Sequence, residues 1–158
     1  MLEPTYPLRT ARLDLRPYEP GDLVHVRDMH TREEVTRYLY WNVMADEQIQ
    51  ARLERKLGQV ALHAEGDGIC PVAVLRETGE VVGDAALGWV SEEHRTGEVG
   101  FVLKPEFQGR GLASEMAAKM LREAHLVQNE WVKGEWCDEL AYAMLADEWE
   151  ARAMSRPS

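Results

Sequence analysis

Residues 97–113, Gly97-Glu98-Val99-Gly100-Phe101-Val102-Leu103-Lys104-Pro105-Glu106-Phe107-Gln108-Gly109-Arg110-Gly111-Leu112-Ala113, join an apolar strand, a glycine loop and the start of a helix in one run. Val99, Phe101 and Leu103 alternate with Glu98, Gly100 and Val102, the period of two expected of a strand with two differently used faces. Pro105 withholds a backbone donor and ends the ladder. From Leu112 the apolar side chains recur at Met116, Ala117, Met120, Leu121 and Ala124, with Ser114, Glu115, Lys119 and Glu123 on the polar side. A helix is therefore predicted to begin close to Gly111.

A helix start offers backbone N–H groups without intrahelical partners and about half a positive charge from the aligned peptide dipoles. An anionic phosphate satisfies both. Gly109 and Gly111 lack a Cβ, so the backbone can turn tightly against a ligand, and Arg110 adds a mobile cation. An ordinary strand-to-helix turn is the bland alternative. Two nucleotide motifs fail here. Leu112-Ala113 stands where the P-loop pattern needs Lys followed by Ser or Thr, and the third glycine of the dinucleotide fingerprint is absent.

The loop resembles the acyl-CoA loop of the GNAT family of N-acetyltransferases: Gln or Arg, two free positions, Gly, one free position, then Gly or Ala. Gln108, Gly111 and Ala113 fill that pattern, between a strand and the following helix as in the family. The opening Leu8-Arg9-Thr10-Ala11-Arg12-Leu13-Asp14-Leu15-Arg16-Pro17 and the closing Trp131-Val132-Lys133-Gly134-Glu135-Trp136-Cys137-Asp138 look like its RimJ/RimL-type branch. The resemblance implies an α+β fold: a mixed, mainly antiparallel sheet flanked by helices, with a C-terminal hairpin. It implies acetyl-CoA as cosubstrate, with Gln108, Gly109, Arg110, Gly111, Leu112, Ala113 and Ser114 around its diphosphate. The pantetheine arm would add to the strand at Phe101, Val102 and Leu103 like an extra strand.

Many relatives carry a glutamate where Glu98 stands, deprotonating the acceptor amine directly or through water. A carboxylate suits that work where burial raises its pKa toward neutral. A surface glutamate at a strand start is the alternative, and Asp84 is a second choice of base from the neighbouring strand.

The family follows the phosphate-loop helix with a strand and a helix that carries a cofactor-binding asparagine and often a tyrosine acid. Only then does its hairpin close. Here Met120-Leu121-Arg122-Glu123-Ala124-His125-Leu126-Val127 passes straight into the hairpin, with no Gly, Pro or Asn punctuation. A strand-helix unit is thus expected to be missing near residues 121–124, and Tyr142, in the hairpin, does not supply the acid. Natural shortening, a deletion, or a segment left out of the written sequence would each produce this. A shortened chain could repair its open edge by exchanging strands with a second copy, giving a homodimer.

The remaining features bound the class. A chain of 158 residues suggests one domain over residues 1–158, with 147–158 a polar tail. Eighteen basic against 28 acidic residues give a net charge of −10. That argues against nucleic acid or an anionic membrane as partner and weakly favours a basic or amine-bearing substrate; the family resemblance implies that the acceptor is a protein N-terminus or a small amine. Cys70 and Cys137 form no paired spacing and the five histidines no ligand array, so no metal site is expected and a cytoplasmic setting fits. No signal peptide or membrane span is read.

A first strand is predicted at Leu13–Arg16, a short helix at Leu23–His30, and a second helix from Asp46 as N-cap through Ile49, Leu53 and Leu57 into Val60-Ala61. Tyr38-Leu39-Tyr40-Trp41 is expected to pack under a loop or to wall a pocket. A hairpin joins 72–76 to 81–90 across Glu77-Thr78-Gly79-Glu80, and Ser91 to Gly97 leads into the strand before the loop. The closing hairpin is expected to pair 126–132 with 135–145 across Lys133-Gly134. Two other functions compete with acetyl transfer: a catalytically impaired acyl-CoA-binding or dimerisation module, and a structural domain without ligand.

Overall fold

Leu13 and Leu15 are fully buried while Asp14 between them and Arg16 after them stay partly exposed, and the same alternation organises the rest of the sheet. The computed structural model describes residues 2–37, 39, 41–94, 96–123, 126–132 and 135–139, in two units, Met1–Ala124 and His125–Ser158. In chain order the first unit contains β1 (Leu8–Arg9), β2 (Leu13–Arg16), α1 (Leu23–His30), α2 (Glu33–Thr36), α3 (Asp46–Leu57), β3 (Gly68–Ile69), β4 (Val72–Leu75), β5 (Val81–Ser91), β6 (Thr96–Leu103) and α4 (Leu112–Glu123). The second unit contains a hairpin of β7 (Leu126–Val132) and β8 (Glu135–Glu139), with Trp131 opposite Trp136.

Among the described residues all strand pairings are antiparallel. β1 pairs β2, β2 pairs β4, and β4 pairs the long β5. β6 runs along β5 from Gly83↔Leu103 to Ser91↔Thr96, so β4 and β3 share the other edge of β5. Within the described part of the first unit, β6 pairs β5 only.

Alternate residues of the strands feed two separate cores. Leu13, Leu15, Ala73, Leu75, Ala85, Leu87 and Leu103 pack with Leu112, Met116 and Met120 of α4. Val72 and Val81 pack with Tyr18, Val26 of α1, and Ile49 and Leu53 of α3. Helix α4 thus covers one face of the sheet and α1 with α3 the other, as a period of two in the strands and 3.6 in the helices requires. The mainly antiparallel sheet flanked by helices is the α+β fold expected.

Three local expectations need correction. Helix α3 ends at Leu57 and does not run into Val60-Ala61. Asp46 is the first residue of α3 and not its cap; Ala45 occupies the cap, and its N–H donates to the Gln48 side chain at 2.9 Å. A glutamine three residues on reproduces half of a capping box without a polar cap residue. The link between β5 and β6 is shorter than read, because both strands extend, to Ser91 and from Thr96. Strand β8 is described to Glu139. Tyr38, Tyr40, Lys133, Gly134 and residues 140–158 lie outside the described residues. Among the described residues no helix is long and apolar enough to cross a membrane.

Candidate active site

Gly109 and Gly111 adopt φ of +70° and +74°, the left-handed region that L side chains disfavour. Between them the chain reverses after a single 3₁₀ turn at Pro105–Phe107 and enters α4. The first helical bond runs from Glu115 N–H to Gly111 O at 3.2 Å. Among the described residues no backbone carbonyl accepts from the N–H groups of residues 109–114. Six backbone donors at and before the helix start are thus left without a backbone acceptor among the described residues, a donor set that phosphate oxygens can satisfy.

The predicted loop residues divide by role. Leu112 is buried in the core and Ala113 packs against it, so only their backbone faces the loop. Ser114 and Arg110 are exposed, and the Arg110 guanidinium carbon lies 5.6 Å from the Phe107 ring centroid. Gln108 turns back, its side-chain amide donating to Leu103 O at 3.1 Å, and so ties the loop to the end of β6.

A clasp from the far end of the sequence closes on this loop. Arg12 Nη1 donates to Arg110 O at 2.8 Å, while Arg12 Nε and its backbone N–H each reach the Glu115 carboxylate at 2.7 Å. The Thr10 hydroxyl also donates to Glu115. Burial opposes the Glu115 charge, but these bonds outweigh it and hold the carboxyl below its usual range. Arg12 was legible only as part of a family-like opening, and Glu115 only as polar helix surface.

The β5–β6 register sets which side of β6 each residue uses. Glu98, Gly100 and Val102 stand opposite Gly88, Ala86 and Asp84, on the α1–α3 face. Phe101 stands opposite Ala85, on the α4 face, and is 48% exposed. Leu103 is buried in the core on that face. Glu98 is exposed.

Asp84, the second choice of base, is occupied otherwise. Its carboxylate takes a buried ion pair from Lys56 and a 2.7 Å hydrogen bond from the Tyr18 hydroxyl. Lys56 also reaches Cys70 Sγ at 3.1 Å. Burial works against the Lys56 ammonium, yet the Asp84 charge and the bonds to Asp84 and Cys70 raise its pKa overall. Burial pushes the Cys70 thiol up to about 11. Burial, then the Asp84 charge, lifts the Tyr18 pKa well above its ordinary value. With its carboxylate held by an ammonium and a phenol, buried Asp84 is not free to meet an acceptor amine.

Beside this pair lies fully buried His30. The Trp41 indole N–H donates to its Nδ1 at 3.1 Å, which leaves the ring proton on a buried Nε2 without a partner among the described residues. Burial pushes the His30 pKa down to about 4. Arg52 stacks on Trp41, 4.1 Å from the ring centroid. Of the aromatic run, Trp41 therefore packs under its loop. Among the described residues no three His, Cys, Asp or Glu side chains gather as a metal site.

Comparison with known proteins agrees with this geometry. The uncharacterized N-acetyltransferase YoaA of Bacillus subtilis (strain 168) is 31% identical over 114 residues, 72% of this chain and 63% of YoaA. The chain thus spans less than two thirds of the curated relatives it matches. A GNAT-family acetyltransferase from Bacillus anthracis superposes with a TM-score of 0.61 at 24% identity, covering 72% of this chain and 63% of that one. The spermidine N-acetyltransferase of Vibrio cholerae, solved with CoA and spermine, gives a TM-score of 0.59 at 17% identity, covering 81% and 92%. Residues 12–136, from the arginine of the clasp through the glycine loop into the hairpin, match the family model of the acetyltransferase (GNAT) domain, and the chain belongs to that family.

Proposed function

We propose that this chain transfers an acetyl group from acetyl-CoA to a primary amine, either a protein N-terminus or a small amine. The observation that carries this reading is the set of backbone donors on residues 109–114, opened by two left-handed glycines at the start of α4. Those donors and Arg110 hold the diphosphate, and the backbone of Phe101, Val102 and Leu103 takes the pantetheine arm. Acetyl-CoA supplies the activated acyl thioester.

Glu98 takes the proton from the acceptor ammonium, directly or through a water. The neutral amine then attacks the thioester carbonyl carbon; a C–N bond forms, the C–S bond breaks, the attacking nitrogen sheds its second proton to water to leave the neutral amide, and the thiolate takes a proton from solvent. Exposure of Glu98 suits a base that is covered only when substrate binds, and its place on the α1–α3 face separates it from Phe101. The chain's acidic balance favours cationic acceptors. The RimJ/RimL branch, a cytoplasmic setting and a homodimer remain part of this proposal.

A second reading rests on length. The chain covers 63% of its curated relatives, and β6 pairs only β5 among the described residues of its unit. A missing strand-helix unit near residues 121–124 would leave an acyl-CoA-binding or dimerisation module with little turnover. A thiol-release assay with acetyl-CoA and a panel of amines separates the two. Turnover that Glu98→Gln lowers about a hundredfold supports the enzyme and its base. Turnover unchanged in Glu98→Gln removes the base assignment, and CoA binding without turnover favours the module.

A further inference from the structure

Arg12 and Glu115 are 103 residues apart and meet through several bonds at the phosphate loop. Their side chains are 46% and 16% exposed. An ion pair so placed contributes little to stability, because water screens it and both side chains lose rotamer freedom. Its geometry accounts for more.

Arg12 Nη1 bonds the carbonyl of Arg110, the residue between the two left-handed glycines. The peptide unit is planar and trans, so a carbonyl held toward Arg12 turns the Gly111 N–H to the opposite side. At the same time Glu115 is the acidic residue in the first turn of α4. An unpaired carboxylate there would repel any anion brought to the helix start. Arg12 cancels that charge, and its Nη2 lies 3.6 Å from the position of a Cβ on Gly111, against the loop.

We infer that Arg12 is a positioning residue for the cofactor phosphates: it sets the orientation of the Arg110–Gly111 peptide and neutralises Glu115. This inference rests on the acyl-CoA reading of the loop. Arg12 lies on the turn between β1 and β2, so the N-terminal strands become part of the cofactor site.

The test is calorimetry of CoA binding to the full chain, wild type against Arg12→Gln and Arg12→Lys, with thermal melting of each. Turnover is read in parallel with acetyl-CoA and with S-acetylpantetheine, which carries no phosphate. The expected result is about tenfold weaker CoA binding in Arg12→Gln, the scale of a lost charge-assisted bond. Arg12→Lys should recover part of that loss, since a point charge lacks the fork that joins Arg110 O to Glu115. Turnover with S-acetylpantetheine should be unchanged in both. CoA affinity within twofold of wild type in Arg12→Gln overturns the inference. So does an equal loss with both acyl donors, which marks a structural role; if Arg12→Gln fails to fold, the same ratio is read in Arg12→Lys. Wild type that does not bind CoA sinks the acyl-CoA reading itself, whereas tight wild-type binding with an indifferent Arg12 sinks only this step.

Discussion

Gly83 of β5 lies so close to Val102 of β6 that a Cβ on it would stand 2.1 Å from the Val102 carbonyl oxygen and 3.0 Å from Leu103 Cα. Backbone is on the receiving side, so the approach has no flexible side chain to absorb it. Gly83→Ala should therefore push β6 outward and cost about 1–3 kcal/mol, as overpacking does. Because Val102 and Leu103 belong to the proposed pantetheine strand, CoA affinity should fall as well. Thermal melting and calorimetry read the two effects; a variant with wild-type melting and affinity would show that β6 gives way without consequence.

Gly111→Val should weaken CoA binding at least about tenfold, since an L residue at this φ costs about 1–2 kcal/mol and a β-branched one more. A Cβ there meets only Arg12 Nη2, at 3.6 Å, so backbone strain and a displaced Arg12 cause the loss more than a filled cradle does. Titration with CoA checks it, and Gly111→Ala should fall between the two.

The Lys56–Asp84 pair predicts a non-additive cycle. Lys56→Met leaves a buried carboxylate with, among the described residues, the Tyr18 hydroxyl as its remaining side-chain partner and should destabilise the chain by about 3–5 kcal/mol. Adding Asp84→Asn removes the stranded charge and should restore part of that loss. Denaturant unfolding of the four proteins measures the coupling; strictly additive losses would mean that the pair carries no interaction of its own.

His30 gives the chain an acid-sensitive window. Its folded pKa is about 4 against an ordinary 6.5, so the unfolded chain binds the extra proton between those values. Stability from this residue is full above about pH 6.5 and falls as the pH drops toward 4, by about 3 kcal/mol over the whole window. The carboxyls held low, Asp22, Asp28 and Glu115, act in the opposite region, keeping their contribution until the pH falls through their depressed values. Melting curves from pH 7 to 4.5 should flatten in His30→Gln relative to wild type. Parallel curves would show that His30 does not titrate in this range.

The strand at 99–103, the stop at Pro105 and the helix from Leu112 were legible because each depends on neighbours within a few residues: a period, a missing N–H, a Cβ-free turn. The glycine loop was legible for the same reason, down to the two positions that take positive φ. The cap of α3 was misplaced by one residue because Gln48 does the capping from inside the helix. Asp84 looked like a free acid because nothing local announces Lys56, 28 residues earlier, as its partner.

By itself the sequence determined a strand, glycine loop and helix fit for phosphate, within a mainly antiparallel α+β fold. Tertiary structure decided what surrounds that loop. The sheet register put Glu98 and Asp84 on one face and Phe101 on the other, then used up Asp84 in a buried ion pair. It also brought Arg12 across 103 residues to clasp Glu115 at the loop. Local pattern follows from chain stereochemistry over a few residues, whereas these pairings depend on which strands lie side by side, and that is set only when both faces of the sheet bury their cores.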